Sequence, residues 1–85
     1  MNRVAFLNNK FVKFNSAKIH IEDRGLQFAD SVYEVIMIFN YQLIDFEFHI
    51  KRLKYSLKEL SISYFVNKNY FKEIFGKLIK KNSIK

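Results

Sequence analysis

Phe46, Ile50, Leu53, Leu57 and Leu60 stand 4, 3, 4 and 3 residues apart, a spacing that a helix turns into one apolar face. The pattern predicts a helix over 46–60, with Asp45 as a cap whose carboxylate accepts from a first-turn N–H. Ser61 to Val66 breaks the period. Asn67 then reads as a second cap, before Tyr70, Phe71, Ile74, Phe75, Leu78 and Ile79 on another helical face. Gly76 interrupts that helix at about 1 kcal/mol relative to Ala, and Lys80 and Lys81 suit its C-terminal end electrostatically.

Upstream the period shortens. Val4 to Leu7 and Phe11 to Phe14 are short apolar-rich runs around Asn8-Asn9-Lys10, a tight-turn signal because Asn tolerates positive φ. Lys18 to Ile21 alternates and predicts a short third strand, with His20 on its polar face and not as a ligand. Glu22 to Gly25 predicts a turn in which Gly takes a positive φ. Val32 to Phe39 is the strongest β-favouring run, near-continuously apolar and expected to be buried on both faces. Asn40-Tyr41 turns it back into Gln42 to Ile44. The fold class is therefore α+β: an N-terminal antiparallel β-sheet followed by two amphipathic helices.

At 85 residues the chain makes one domain at most, since domains usually take about 50 to 200 residues. Cysteine is absent and only two histidines occur, so neither a disulfide framework nor a metal site is expected. No apolar run approaches the roughly 18 residues of a membrane span, nor the roughly 7 to 15 of a signal-peptide core. A cytoplasmic location is the expectation.

The formal charge of +7 raises nucleic acid as a partner. Residues 66–85 carry six lysines against Glu73, which is +5 of the total, in a helix face short of the Arg that reads bases and phosphates. Lys, Asn, Ile, Phe and Tyr supply 45 of the 85 residues, so an A- and T-rich coding bias accounts for the lysines without a binding role. Nucleic acid is not expected, although a small basic module for nucleic acid or an acidic partner stays as the alternative function.

Asp23, Arg24, Gly25, Phe28, Asp30, Val32, Tyr33 and Glu34, followed after a hairpin by His49, Arg52 and Leu53 on a helix, form an ordered set of motifs. In that order they closely resemble the class IV (fold type IV) pyridoxal-phosphate aminotransferases, the family of the D-amino acid and branched-chain enzymes. The resemblance implies that residues 1–85 are part of the amino-terminal domain, with the second, lysine-bearing domain absent. It assigns Arg52 to the phosphate of pyridoxal phosphate, His49 to a supporting role beside it, and Tyr33 to the substrate carboxylate. Tyr33-Glu34-Val35 leans toward the D-amino acid subgroup, since branched-chain enzymes often have Phe-Glu-Gly there. Asp23 and Arg24 are expected to hold the turn.

Two positions depart from the family pattern, because Ala29 and Ser31 replace the glycines that usually flank Asp30. Side chains at such sites cost about 1 to 3 kcal/mol each where positive φ is required. The resemblance gives none of the twelve lysines the Schiff-base role, so no catalytic residue is assigned and the chain is expected to be inactive alone. Amino acids and 2-oxo acids are the implied substrates. A homodimer or a chain carrying the lysine domain is the implied partner.

Overall fold

The computed structural model describes residues 2–85. Strands β1 (Val4–Leu7) and β2 (Lys10–Lys13) pair antiparallel, with Val4 opposite Lys13 and Leu7 opposite Lys10. Asn8 and Asn9 turn the hairpin at φ 50° and 67°, the doubly left-handed geometry that matches strand twist. Phe14 leaves the expected strand for a single 3₁₀ turn, Phe14–Ser16. Residues 18–21 form no strand, and Ile19 and Ile21 are exposed.

The expected turn at Glu22–Gly25 runs directly into a helix, α1 (Arg24–Phe28), that the sequence reading did not contain. Asp23 caps it by accepting from the Leu26 N–H at 3.3 Å, and Arg24 Nε donates to Asp30 Oδ2 at 2.9 Å. Both residues thus hold the bend as expected. Gly25 is needed for a different reason than positive φ, which it lacks. A Cβ there would lie 3.0 Å from Asp23 Oδ2 and 3.1 Å from Ser31 Cβ.

The left-handed residue is Ala29, at φ 54° and ψ 30°, where it ends α1. Its N–H bonds back to the Arg24 carbonyl, so the conformation is fixed by the helix terminus and favours glycine. Ser31 takes no positive φ and departs from pattern only sterically. Ala29→Gly is expected to stabilise the fold by about 1 kcal/mol. An upward shift of the urea midpoint at unchanged slope checks it, and an unchanged or lower midpoint contradicts it.

From Val32 to Phe39 burial alternates: Val32, Glu34, Ile36 and Ile38 are half-buried, while Tyr33, Val35, Met37 and Phe39 are exposed. The segment therefore has one covered face, not two. Only its end is laddered, as β3 (Ile38–Phe39) against β4 (Gln42–Leu43) through a left-handed Asn40-Tyr41 turn. Among the described residues, the one backbone–backbone hydrogen bond involving residues 32–37 runs from Ile44 N to Met37 O at 2.9 Å. Instead of one sheet, the described residues form two separate two-stranded sheets.

Helices α2 (Phe46–Glu59) and α3 (Lys68–Lys81) follow. Asn67 caps α3, accepting from the Tyr70 N–H at 3.0 Å. Asp45 does not cap α2 with its side chain: it sits in the left-handed region at φ 56° and closes the chain reversal through its backbone. Phe46, Ile50, Leu57 and Val66 are the buried cluster, joined at its margin by Val32, Ile36, Leu43, Leu53, Phe71 and Phe75. Leu60 ends the helix and is 47% exposed, so the predicted face stops one turn early. Phe46 and Phe75 meet edge to face at 6.2 Å and tie α2 to α3.

Asn82 joins the two ends of the chain. Its Oδ1 accepts from Val4 N at 2.8 Å and its Nδ2 donates to the Val4 and Leu78 carbonyls at 2.9 Å each. One amide thus satisfies both backbone groups of a β1 residue and a terminal carbonyl of α3. Among the described residues, no helix is long and apolar enough to cross a membrane.

Candidate functional site

A carboxylate at a half-buried position of an extended segment needs partners, because desolvation disfavours its charge. Glu34 is such a group, set between Val32 and Ile36 on the covered face, with a side chain only 12% exposed. Its partners come from α2. His49 and Arg52, three residues apart, project toward it from adjacent turns.

The contacts are short and complete. Arg52 donates Nε to Glu34 Oε2 and Nη2 to Oε1, both at 2.9 Å, forming a bidentate fork. His49 Nδ1 lies 2.6 Å from Oε1. An ionised carboxylate only accepts, so Nδ1 is the donor in this contact. The hydrogen bonds from Arg52 and then His49 outweigh burial and hold the Glu34 carboxyl well below the usual range, at about 2. Glu34 pushes Arg52 upward in return, chiefly through the same hydrogen bonds. The folded-state value of Glu34 is depressed, so its stabilising contribution is present above the ordinary carboxylate range and is lost as pH falls toward 2.

Glu34 does not consume the arginine. Of five guanidinium N–H groups, Nε–H and one on Nη2 are engaged, and the side chain is 50% exposed. The outer edge, Nη1 with the remaining Nη2 hydrogen, has no hydrogen-bond partner among the described residues, and the guanidinium carbon lies 5.3 Å from the centroid of the exposed Phe48 ring. An anion with several oxygens, such as a phosphate monoester, fits this donor set. Beside Glu34 a cleft of about 230 Å³ is walled by Ile36, Ile38, Phe75, Leu78, Ile79 and Ile84.

The structure thus brings together Arg52 and His49, and adds Glu34, which sequence reasoning placed in the motif but gave no role. The signal was present in the sequence: one charge at an inward position of an apolar alternating run. Tyr33 is not brought to this cluster. As the immediate neighbour of Glu34 it points to the other face, 85% exposed. It borders a shallow depression with Ser31, Tyr55, Ser56 and Glu59. His20 is 73% exposed and its Nδ1 accepts from the Glu22 N–H. Among the described residues, no three His, Cys, Asp or Glu side chains gather as a metal site.

Comparison with characterised proteins agrees with the motif order. The chain is 36% identical over 78 residues to the D-alanine aminotransferase of Listeria monocytogenes serotype 1/2a (strain 10403S), covering 92% of this chain and 27% of that protein. It is 33% identical over 79 residues to the D-alanine aminotransferase of Staphylococcus aureus (strain N315), and 30% identical over 79 to that of Staphylococcus epidermidis (strain ATCC 12228 / FDA PCI 1200). No protein-family model matches the chain. It spans about a quarter of the length of these relatives. Over nearly its whole length the chain is therefore related to the D-alanine aminotransferases.

Proposed function

We propose that these residues supply the phosphate-gripping and substrate-facing part of a pyridoxal-phosphate aminotransferase site acting on D-amino acids and 2-oxo acids. The observation that carries the reading is Arg52, held by a bidentate carboxylate fork with its outer donors free. Arg52 would bind the cofactor phosphate through Nη1 and Nη2. His49 supports the site by fixing Glu34 and not by moving a proton. Tyr33 would offer its hydroxyl to a substrate carboxylate from the opposite face of the segment 31–37.

Pyridoxal phosphate supplies the electron sink that makes the substrate α-proton acidic, and the reaction also needs a positioned lysine amine. That amine comes, in this reading, from outside these 85 residues. Support for a further partner lies in the segment 32–37, whose unladdered backbone and exposed Val35 and Met37 are suited to accept a strand. A second copy or a chain bearing the lysine domain would cover it. The chain alone is then without transaminase activity, in a cytoplasmic setting where the cofactor is available.

Treating the chain with pyridoxal phosphate and borohydride is expected to label its lysines weakly and at several positions. One lysine labelled stoichiometrically, with labelling suppressed by D-alanine, would contradict the assignment of the amine to another chain.

A further inference from the structure

Resting on the reading of Arg52 as the phosphate grip, we propose that Glu34 is a positioning residue that holds the guanidinium with its outer edge presented to a phosphate monoester. Three observations carry this. The fork uses Nε and Nη2, the two nitrogens on the inner edge, and so fixes the plane and rotation of the guanidinium. Glu34 is itself fixed, since its side chain is 12% exposed and His49 Nδ1 bonds the same Oε1 that accepts from Arg52 Nη2. Arg52 by contrast is half exposed on a helix surface, where a long side chain left alone samples many rotamers. Glu34 thereby removes an ordering cost that an anion would otherwise meet on binding.

A carboxylate beside an arginine also cancels part of its charge, and this opposite effect defines the test. If Glu34 positions, removing its second acceptor weakens anion binding. If Glu34 competes, removing its charge strengthens binding. Glu34→Gln separates the two, because the amide offers one acceptor and turns an N–H toward the guanidinium, so the fork opens while side-chain size is kept.

The probe is pyridoxamine 5′-phosphate, which has the phosphate but no aldehyde to react with lysines. Its dissociation constant is read from the Arg52 Nε–H resonance, with far-UV circular dichroism as the check on folding. Glu34→Gln is expected to bind about tenfold more weakly than the parent chain, the scale of one charge-assisted hydrogen bond. Glu34→Asp, which keeps two acceptors, is expected to recover part of the loss. Equal or tighter binding by Glu34→Gln overturns the proposal. Should that variant not fold, the parent chain decides: an Arg52 Nε–H that stays bonded to Glu34 at saturating probe supports positioning, and one that leaves Glu34 overturns it. Absence of any Arg52-dependent binding in the parent chain removes the phosphate reading itself, whereas Arg52-dependent binding indifferent to Glu34→Gln removes only the role of Glu34.

Discussion

Phe46→Ala is expected to abolish the cooperative thermal unfolding of this chain, or to lower its midpoint far enough that much of the helical signal is lost at 25 °C. Phe46 opens α2, is 7% exposed, and meets Phe75 of α3 edge to face at 6.2 Å. It belongs to the same buried cluster as Ile50, Leu57 and Val66. Truncating a buried Phe costs about 3–5 kcal/mol from lost transfer energy and the cavity left behind. At about 0.05–0.15 kcal/mol per residue, a chain of this size has a total stability of the same order. Circular dichroism at 222 nm against temperature measures the effect. A midpoint within a few degrees of the parent chain would show that the core is not centred on the α2–α3 contact.

The apolar faces that make this contact are legible in the sequence, because helical periodicity is a local property, whereas their pairing is not. The spacing of Phe46, Ile50, Leu53 and Leu57 requires one face, and each of these residues is buried or packed against the core. Leu60 fits the same spacing but falls where the helix ends, and a cap position has no neighbouring turn to cover it. Asn67 acts as the cap it resembles, whereas Asp45 spends its backbone on a left-handed reversal and leaves its carboxylate unused as a cap. Local chemistry nominates caps; the direction of chain entry decides between them.

The segment 31–37 was harder to read, because burial on a second face depends on what else is present to cover it. Its apolar outer residues, Val35 and Met37, are 74% and 68% exposed in the described chain. At Ala29, a side chain in place of a family glycine suggested a left-handed site, and φ 54° is what the helix terminus imposes.

For the site, the family resemblance assigned Arg52 and His49, which stand three residues apart on α2. What sequence spacing did not reveal is that both converge on Glu34, 15 and 18 residues earlier. That pairing depends on how the segment 31–37 lies across α2. The same alternation separates Tyr33 from the cluster, so Tyr33 and the Arg52–His49 pair, read as parts of one site, lie on opposite sides of the segment 31–37.

The second large effect concerns the proposed phosphate-binding role of Arg52. Arg52→Ala removes a permanently charged fork that no nearby lysine reproduces in geometry. It also leaves Glu34 with His49 as its one remaining hydrogen-bond partner of the cluster. The expected result is at least about a tenfold loss of affinity for pyridoxamine 5′-phosphate, since charge-assisted bidentate contacts to phosphate are among the stronger hydrogen bonds. Pyridoxamine without the phosphate provides the matched control and is expected to bind weakly and equally to both forms.

Titration of the parent chain and Arg52→Ala with pyridoxamine 5′-phosphate therefore bears most directly on the half-site assignment. Saturable binding by the parent chain, weakened at least about tenfold by Arg52→Ala, with pyridoxamine binding weakly and equally to both, is the predicted result. Equal binding of the phosphate ester by both chains would contradict it.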